Sequence, residues 1–250
     1  MWRFGLAIVA APLLAQPPLD LVFLLENTPG MLLVISRNDF RTIQPADRVA
    51  VMAFTRKSRV VQPFTGDPAA IEKAVRRLAV GGPRWSPLPE QPPQAHVFSA
   101  LLDAVGLFRD LPADPGRRRA IVPVFGTDDD SPRPAFDDLR RALSTAQIRL
   151  YAVAIRRYDR RLAYDPRVLT PPTIGGGNPP IPLALGPLPQ ATLLTMARLA
   201  AAVGGEARSG DAAFANTLRR VRSDADQPER PRAVAREYRP EIGIAQVIRH

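Results

Sequence analysis

Three short apolar runs, each ending in a polar turn, constrain this chain more than anything else in it: LDLVFLLENTPGM at Leu19–Met31, AIVPVFGTDDD at Ala120–Asp130 and RLYAVAIRR at Arg149–Arg157. Runs this short and this continuous, bounded by turn residues, fit strands buried on both faces of a parallel sheet. The carboxyl ends of such strands share one edge, and open α/β sheets bind their ligands there. The turns after Leu25, Phe125 and Ile155 are therefore expected to meet at a single rim.

The segments between these runs supply helices and one hairpin. A first strand at Leu19–Leu25 leads through Pro29-Gly30 into a short helix at Met31–Phe40. The β-rich runs Asp47–Phe54 and Ser58–Phe64, joined by Thr55-Arg56-Lys57, have the spacing of an antiparallel hairpin. Asp67 is an N-cap with Pro68 at the first helical position, and Ile71, Ala74, Val75 and Leu78 follow at helical spacing. Gly81–Ala95 is a Pro-rich loop, and Val97–Phe108 resumes helical periodicity. A strand at Ala120–Phe125, a helix at Phe136–Ala146 and a strand at Leu150–Ile155 make a parallel crossover. Ala191–Val203 is a helix stopped by Gly204-Gly205, and Asp211 opens a last helix through Phe214, Leu218 and Val221. The expected fold is α/β: a doubly wound, mostly parallel central sheet with one antiparallel edge hairpin strand and helices on both faces. Pro123 sits inside a central strand, where its missing N–H predicts either a bulge or imperfect pairing.

A chain of 250 residues that is 46% hydrophobic has the material for one sizeable core, and residues 16–224 form one domain by this reading. Residues 156–190 are an insertion rich in Pro and Gly, and 225–250 a charged tail. At the amino terminus Arg3 precedes the apolar stretch Phe4–Leu14 and the small residue Ala15, the order of a secretory signal cleaved after residue 15. The expectation is export to the periplasm or the outside, with a retained anchor or a buried strand as the alternatives. A formal charge of +10 invites a nucleic-acid partner, but the arginines are scattered in pairs without interleaved aromatics, as on a solvated surface. No nucleic-acid partner is expected, and membrane contact only through the signal or anchor. With no cysteine, disulfides, thiolate nucleophiles and cysteine-held metals are excluded.

The order and spacing of LDLVFLLENTPGM, ADRVAVMAF, RRRAIVPVFGTDDD, RLYAVAI and MARLAAAVGG resemble the von Willebrand factor type A (VWA) domain, in particular its bacterial exported versions. The resemblance implies a metal-ion-dependent adhesion site, built from an Asp-x-Ser-x-Ser loop, a later-loop Thr and an Asp after the fourth strand. Such a site holds a hard divalent cation among oxygen ligands and leaves one position for a partner's carboxylate. Glu26, Thr28 and Gly30 fall on the first loop, the Thr position falls near Ala95, and the Asp position on Gly126. Glu26, Thr28 and Asp128 are thus the candidates of a vestigial metal site, and no cofactor is expected unless Mg²⁺ or another divalent cation is held weakly. Asp128, Asp129 and Asp130 are either replacement carboxylates or an acidic turn capping a helix.

The function expected of such a chain is that of a non-enzymatic interaction domain, binding a protein or cell-surface component at the carboxyl-end edge of the sheet. Asn27, Asp129, Asp130, Leu183 and Leu185 are the candidate partner contacts, the two leucines from the insertion that leaves this same edge. A hydrolase using Asp128–Asp130 with His96 and Ser99 is the alternative of another class, and it lacks both a nucleophile elbow and a third triad member. A degenerate structural copy is the third reading.

Overall fold

The computed structural model describes residues 17–28, 40, 43–80, 95–112, 114–129, 134, 136–156, 187–210 and 213–224. The signal segment, the helix at Met31–Phe40 apart from Phe40, most of the Gly81–Ala95 loop, Asp130, Leu183, Leu185 and the tail lie outside the described residues.

Six strands form one sheet: β1 (Leu19–Glu26), β2 (Arg48–Phe54), β3 (Ser58–Thr65), β4 (Arg118–Phe125), β5 (Ile148–Ala154) and β6 (Glu206–Ser209). Their order is β3-β2-β1-β4-β5-β6, parallel throughout except for the edge hairpin β2–β3. The helices are α1 (Pro68–Val80), α2 (Val97–Leu107), α3 (Phe136–Thr145), α4 (Gln190–Ala202) and α5 (Ala213–Ser223). Every residue of β1 is buried, as a central strand covered on both faces requires. Val22 and Leu24 pack with α2, α3 and α4 on one face. Leu21, Phe23 and Leu25 pack with α1 and α5 on the other. On that second face Phe40, Phe23 and Phe214 form an aromatic trio with ring centroids 5.6–6.1 Å apart.

The doubly wound architecture and the hairpin are therefore as the sequence predicts, and Asp67 caps α1 by accepting a hydrogen bond from Ala69 N at 2.9 Å. Of the two outcomes expected at Pro123 the structure shows imperfect pairing rather than a bulge: β4 pairs with β1 straight through it, while pairing with β5 lapses at Val122 and Pro123 and resumes in the same register at Val124. One detail differs. The strand β6 is absent from the sequence-based expectation, because four residues with only partial burial carry too weak an alternation to stand out between two helices.

The amino ends of the strands are held by buried carboxylates. Asp20 accepts hydrogen bonds from Arg48 and Arg117 at 2.7–2.8 Å, joining β1, β2 and the turn before β4. Asp47 accepts from Leu19 N at 3.0 Å and Gln44 N at 2.8 Å and pairs with Arg222 at the end of α5. With this end fastened, the geometry of interest lies at the opposite, carboxyl end.

Candidate functional site

The strand order reverses at β1, which lies between β2 and β4, so the carboxyl ends of β1 and β4 flank the switch point where such sheets open a ligand crevice. The turns do converge there. Asn27 N donates to Phe54 O at 2.8 Å, Ile155 N to Phe125 O at 2.9 Å, Gly210 N to Ala154 O at 3.1 Å and His96 N to Thr55 O at 2.9 Å. One continuous rim thus runs across β2, β1, β4, β5 and β6.

Glu26 is the centre of this rim. Its side chain leaves the last residue of β1 and is 1% exposed. Oε2 accepts from Gly126 N at 2.7 Å and Thr127 N at 3.1 Å, and Oε1 accepts from the Thr28 hydroxyl at 2.6 Å. Three donors, two of them backbone amides, satisfy a buried carboxylate without a counter-cation. Glu26 and Thr28 are brought together as the sequence suggests, but they face each other and the β4 turn.

The Asp cluster divides its work between two helices. Asp129 is buried and its Oδ2 accepts from Phe98 N at 3.0 Å, in the first turn of α2. His96 occupies the N-cap position of that helix. Asp128 Oδ1 accepts from Thr192 N at 3.0 Å in the first turn of α4, and Thr192 Oγ1 accepts from Asp129 N at 2.7 Å. The expected helix cap is realised, but on α2 and α4 rather than on the helix that follows in sequence. Ala95, near which the family's Thr position falls, sits against Asp129 in a parallel backbone bridge and offers only a methyl group. Asn27 Oδ1 and Thr127 Oγ1 are buried at the rim with no hydrogen-bond partner among the described residues.

Thr127 and Thr192 are rim residues that sequence reasoning misses. Thr192 carries a usable signal, a hydroxyl on the same helical stripe as Met196 and Leu199. Thr127 carries none, since a Thr after a strand is ordinary turn composition.

These residues do not fit the cation of an adhesion site. Gly126 and Ala95 present no side-chain oxygen where two ligands are needed, and both Glu26 oxygens already hold protein donors. Asp128 faces an amide of α4. Among the described residues no group of three His, Asp or Glu side chains is placed to hold a metal ion.

No protein-family profile matches the sequence, and no curated protein matches it. Solved structures do. A conserved hypothetical protein, BatB from Bacteroides thetaiotaomicron, superposes with a TM-score of 0.52 at 14% identity, over 84% of this chain and 100% of that one. An aerotolerance-related membrane protein from Bacteroides fragilis gives 0.51 at 13% identity, over 83% and 98%. A von Willebrand factor type A protein from Catenulispora acidiphila gives 0.52 at 16% identity, over 82% of this chain and 42% of that one. At these identities the likeness establishes the fold. This chain has a VWA-like fold.

Proposed function

We propose that this chain is an exported, non-enzymatic interaction domain that binds a protein or cell-surface component at the carboxyl-end rim of its sheet and does so without a working metal site. The observation that carries the reading is the rim itself: the ends of β1, β2, β4, β5 and β6 tied by backbone and carboxylate hydrogen bonds into one surface. Two buried polar atoms without partners among the described residues, Asn27 Oδ1 and Thr127 Oγ1, belong to that rim, and orphaned buried polar atoms in a native fold ask for a ligand or a water. Asn27, Asp130, and Leu183 and Leu185 of the insertion remain the proposed contacts. Asp129 enters as a residue that shapes the rim, because its carboxylate is buried against α2. Export is supported by the order Arg3, Phe4–Leu14, Ala15. Among the described residues no helix is long and apolar enough to cross a membrane.

The test is capture from a native envelope fraction by the full chain, in chelator and in Mg²⁺. A partner retained equally in both, lost on Thr127→Arg and kept on the helix-surface control Arg140→Ala, is the expected result. Capture that needs the divalent ion, or that ignores Thr127→Arg, removes the proposal.

A further inference from the structure

We infer that the Glu26 carboxylate takes over the bridging task a cation would perform at this rim: it is an internal cross-link that holds the β1 and β4 turns in one preformed arrangement, independent of any metal. The assignment rests on the metal-free part of the proposal above, and its test uses no partner, so either can fail alone.

A bridging divalent ion collects oxygens from separate loops and thereby fixes loops that would otherwise part. Here the polarity is inverted. The bridging group is an anion, and what it collects are donors: Gly126 N and Thr127 N from the β4 turn, and the Thr28 hydroxyl from the β1 turn. Two successive amides aimed at one oxygen make the kind of backbone concavity that binds anions. Glycine at 126 suits this arrangement, since the carboxylate that the family resemblance implies at this position would add a like charge within one residue of the Glu26 contact in a buried site. The longer side chain at 26 matters in the same way, because Glu extends one methylene beyond Asp and so carries its carboxylate farther from β1.

The network then extends to the helices. The backbone continues from Thr127 to Asp128 and Asp129, whose carboxylates meet amides of α4 and α2. Carboxylates thus tie the β4 turn to β1, α2 and α4, and the Thr192 hydroxyl adds a second tie to α4. Glu26, Asp128 and Asp129 are positioning residues, and the surface they set is the one formed by Asn27 and Thr127.

Two measurements test this on the full chain. In the first, Mn²⁺ is titrated calorimetrically, and thermal unfolding is followed in chelator and in excess Mn²⁺. No saturable binding below about 1 mM and an unchanged Tm are expected, since a ligand of the folded state alone would raise Tm. In the second, amide exchange is compared between the wild type and Glu26→Gln, with Glu26→Ala as the harsher variant. Protection at Gly126 and Thr127 should be high in chelator and fall at least tenfold in Glu26→Gln, with Tm lower by about 5–10 °C. Protection in the centre of β5 should fall no more than the global stability does. Saturable Mn²⁺ binding that is lost in Glu26→Ala overturns the inference, as does exchange at Gly126 and Thr127 that responds to Mn²⁺ but not to Glu26→Gln. If Glu26→Ala does not fold, the wild-type metal titration and the Glu26→Gln exchange still decide.

Discussion

At the scale of single residues, buried carboxylates organise both ends of this sheet, and they differ in what balances them. Glu26 meets only neutral donors, whereas Asp20 sits between Arg48 and Arg117. Burial by itself raises the Asp20 pKa, but the hydrogen bonds and charges of the two guanidiniums outweigh it and hold the carboxyl below its ordinary value. By linkage, a carboxyl depressed in the folded state adds stability that is present above its unfolded pKa, near 4, and is lost as pH falls through the folded value. Asp20→Asn should therefore cost about 3 kcal/mol at pH 7, because it leaves the Arg117 guanidinium, only 13% exposed, without its anion. The deficit should shrink steadily below pH 4. Urea unfolding of both proteins at pH 7 and pH 3 measures this, and an equal deficit at the two pH values would show that Asp20 contributes through packing rather than charge. Neither Asp20 nor Asp47 is legible in these roles from sequence, since an acidic residue at a strand's start reads as ordinary solvated punctuation.

At the scale of elements, legibility tracks how much apolar side chain an element buries. The strands β1, β4 and β5 bury nearly every side chain, so their runs stand out unaided, and α1 announces itself by Asp67, Pro68 and a clean apolar stripe. The fold is thus readable from local signals, whereas the site is half readable. Glu26 and Thr28 can be paired from their spacing, but the partners of Asp128 and Asp129 lie 31 to 64 residues away, and no local pattern encodes such contacts. The two glycines after α4 show the same divide. Gly204 has φ +81, the left-handed conformation that ends a helix, and its role is local. Gly205 is fixed by a distant strand: a Cβ there would stand 1.8 Å from Leu150 O of β5. The pair reads in sequence as one stop signal, yet the second glycine is what lets β6 lie against β5. Gly205→Ala should displace that edge strand and cost about 2–3 kcal/mol, at the upper end of overpacking substitutions. Gly204→Ala should cost about 1 kcal/mol through backbone strain alone. Equal destabilisation of the two variants in urea would remove the assigned difference, and amide exchange in β6 should rise in Gly205→Ala only.

At the scale of the whole molecule, the fold separates its attachments from its rim. Leu19 opens β1 at the amino end of the sheet, and Asp224, beyond α5, returns to that same end, where Arg149 Nη1 donates to its carbonyl at 2.9 Å. Tyr151 donates to the Asp224 carboxylate at 3.3 Å, and burial reinforced by that nearby charge pushes the phenol up to about 12. Leu19 and Asp224, the described positions next to the flanking segments, thus both lie at the end opposite the rim. Charge is distributed in keeping with this. Among the described residues, Arg48, Arg117 and Arg222 are paired with carboxylates at the amino end, and Arg76, Arg140, Arg141 and Arg208 are paired on the helices and β6. Because the chain has no cysteine, a single introduced thiol can report on each end separately. Arg56 lies exposed in the β2–β3 turn at the rim, and Arg109 lies exposed in the 3-10 turn after α2 at the far end. A photo-crosslinker carried on Arg56→Cys should join the captured partner, and the same reagent on Arg109→Cys should not. Adducts of equal yield from both positions, or from Arg109→Cys alone, would place the partner elsewhere and leave the rim a purely structural closure of the sheet.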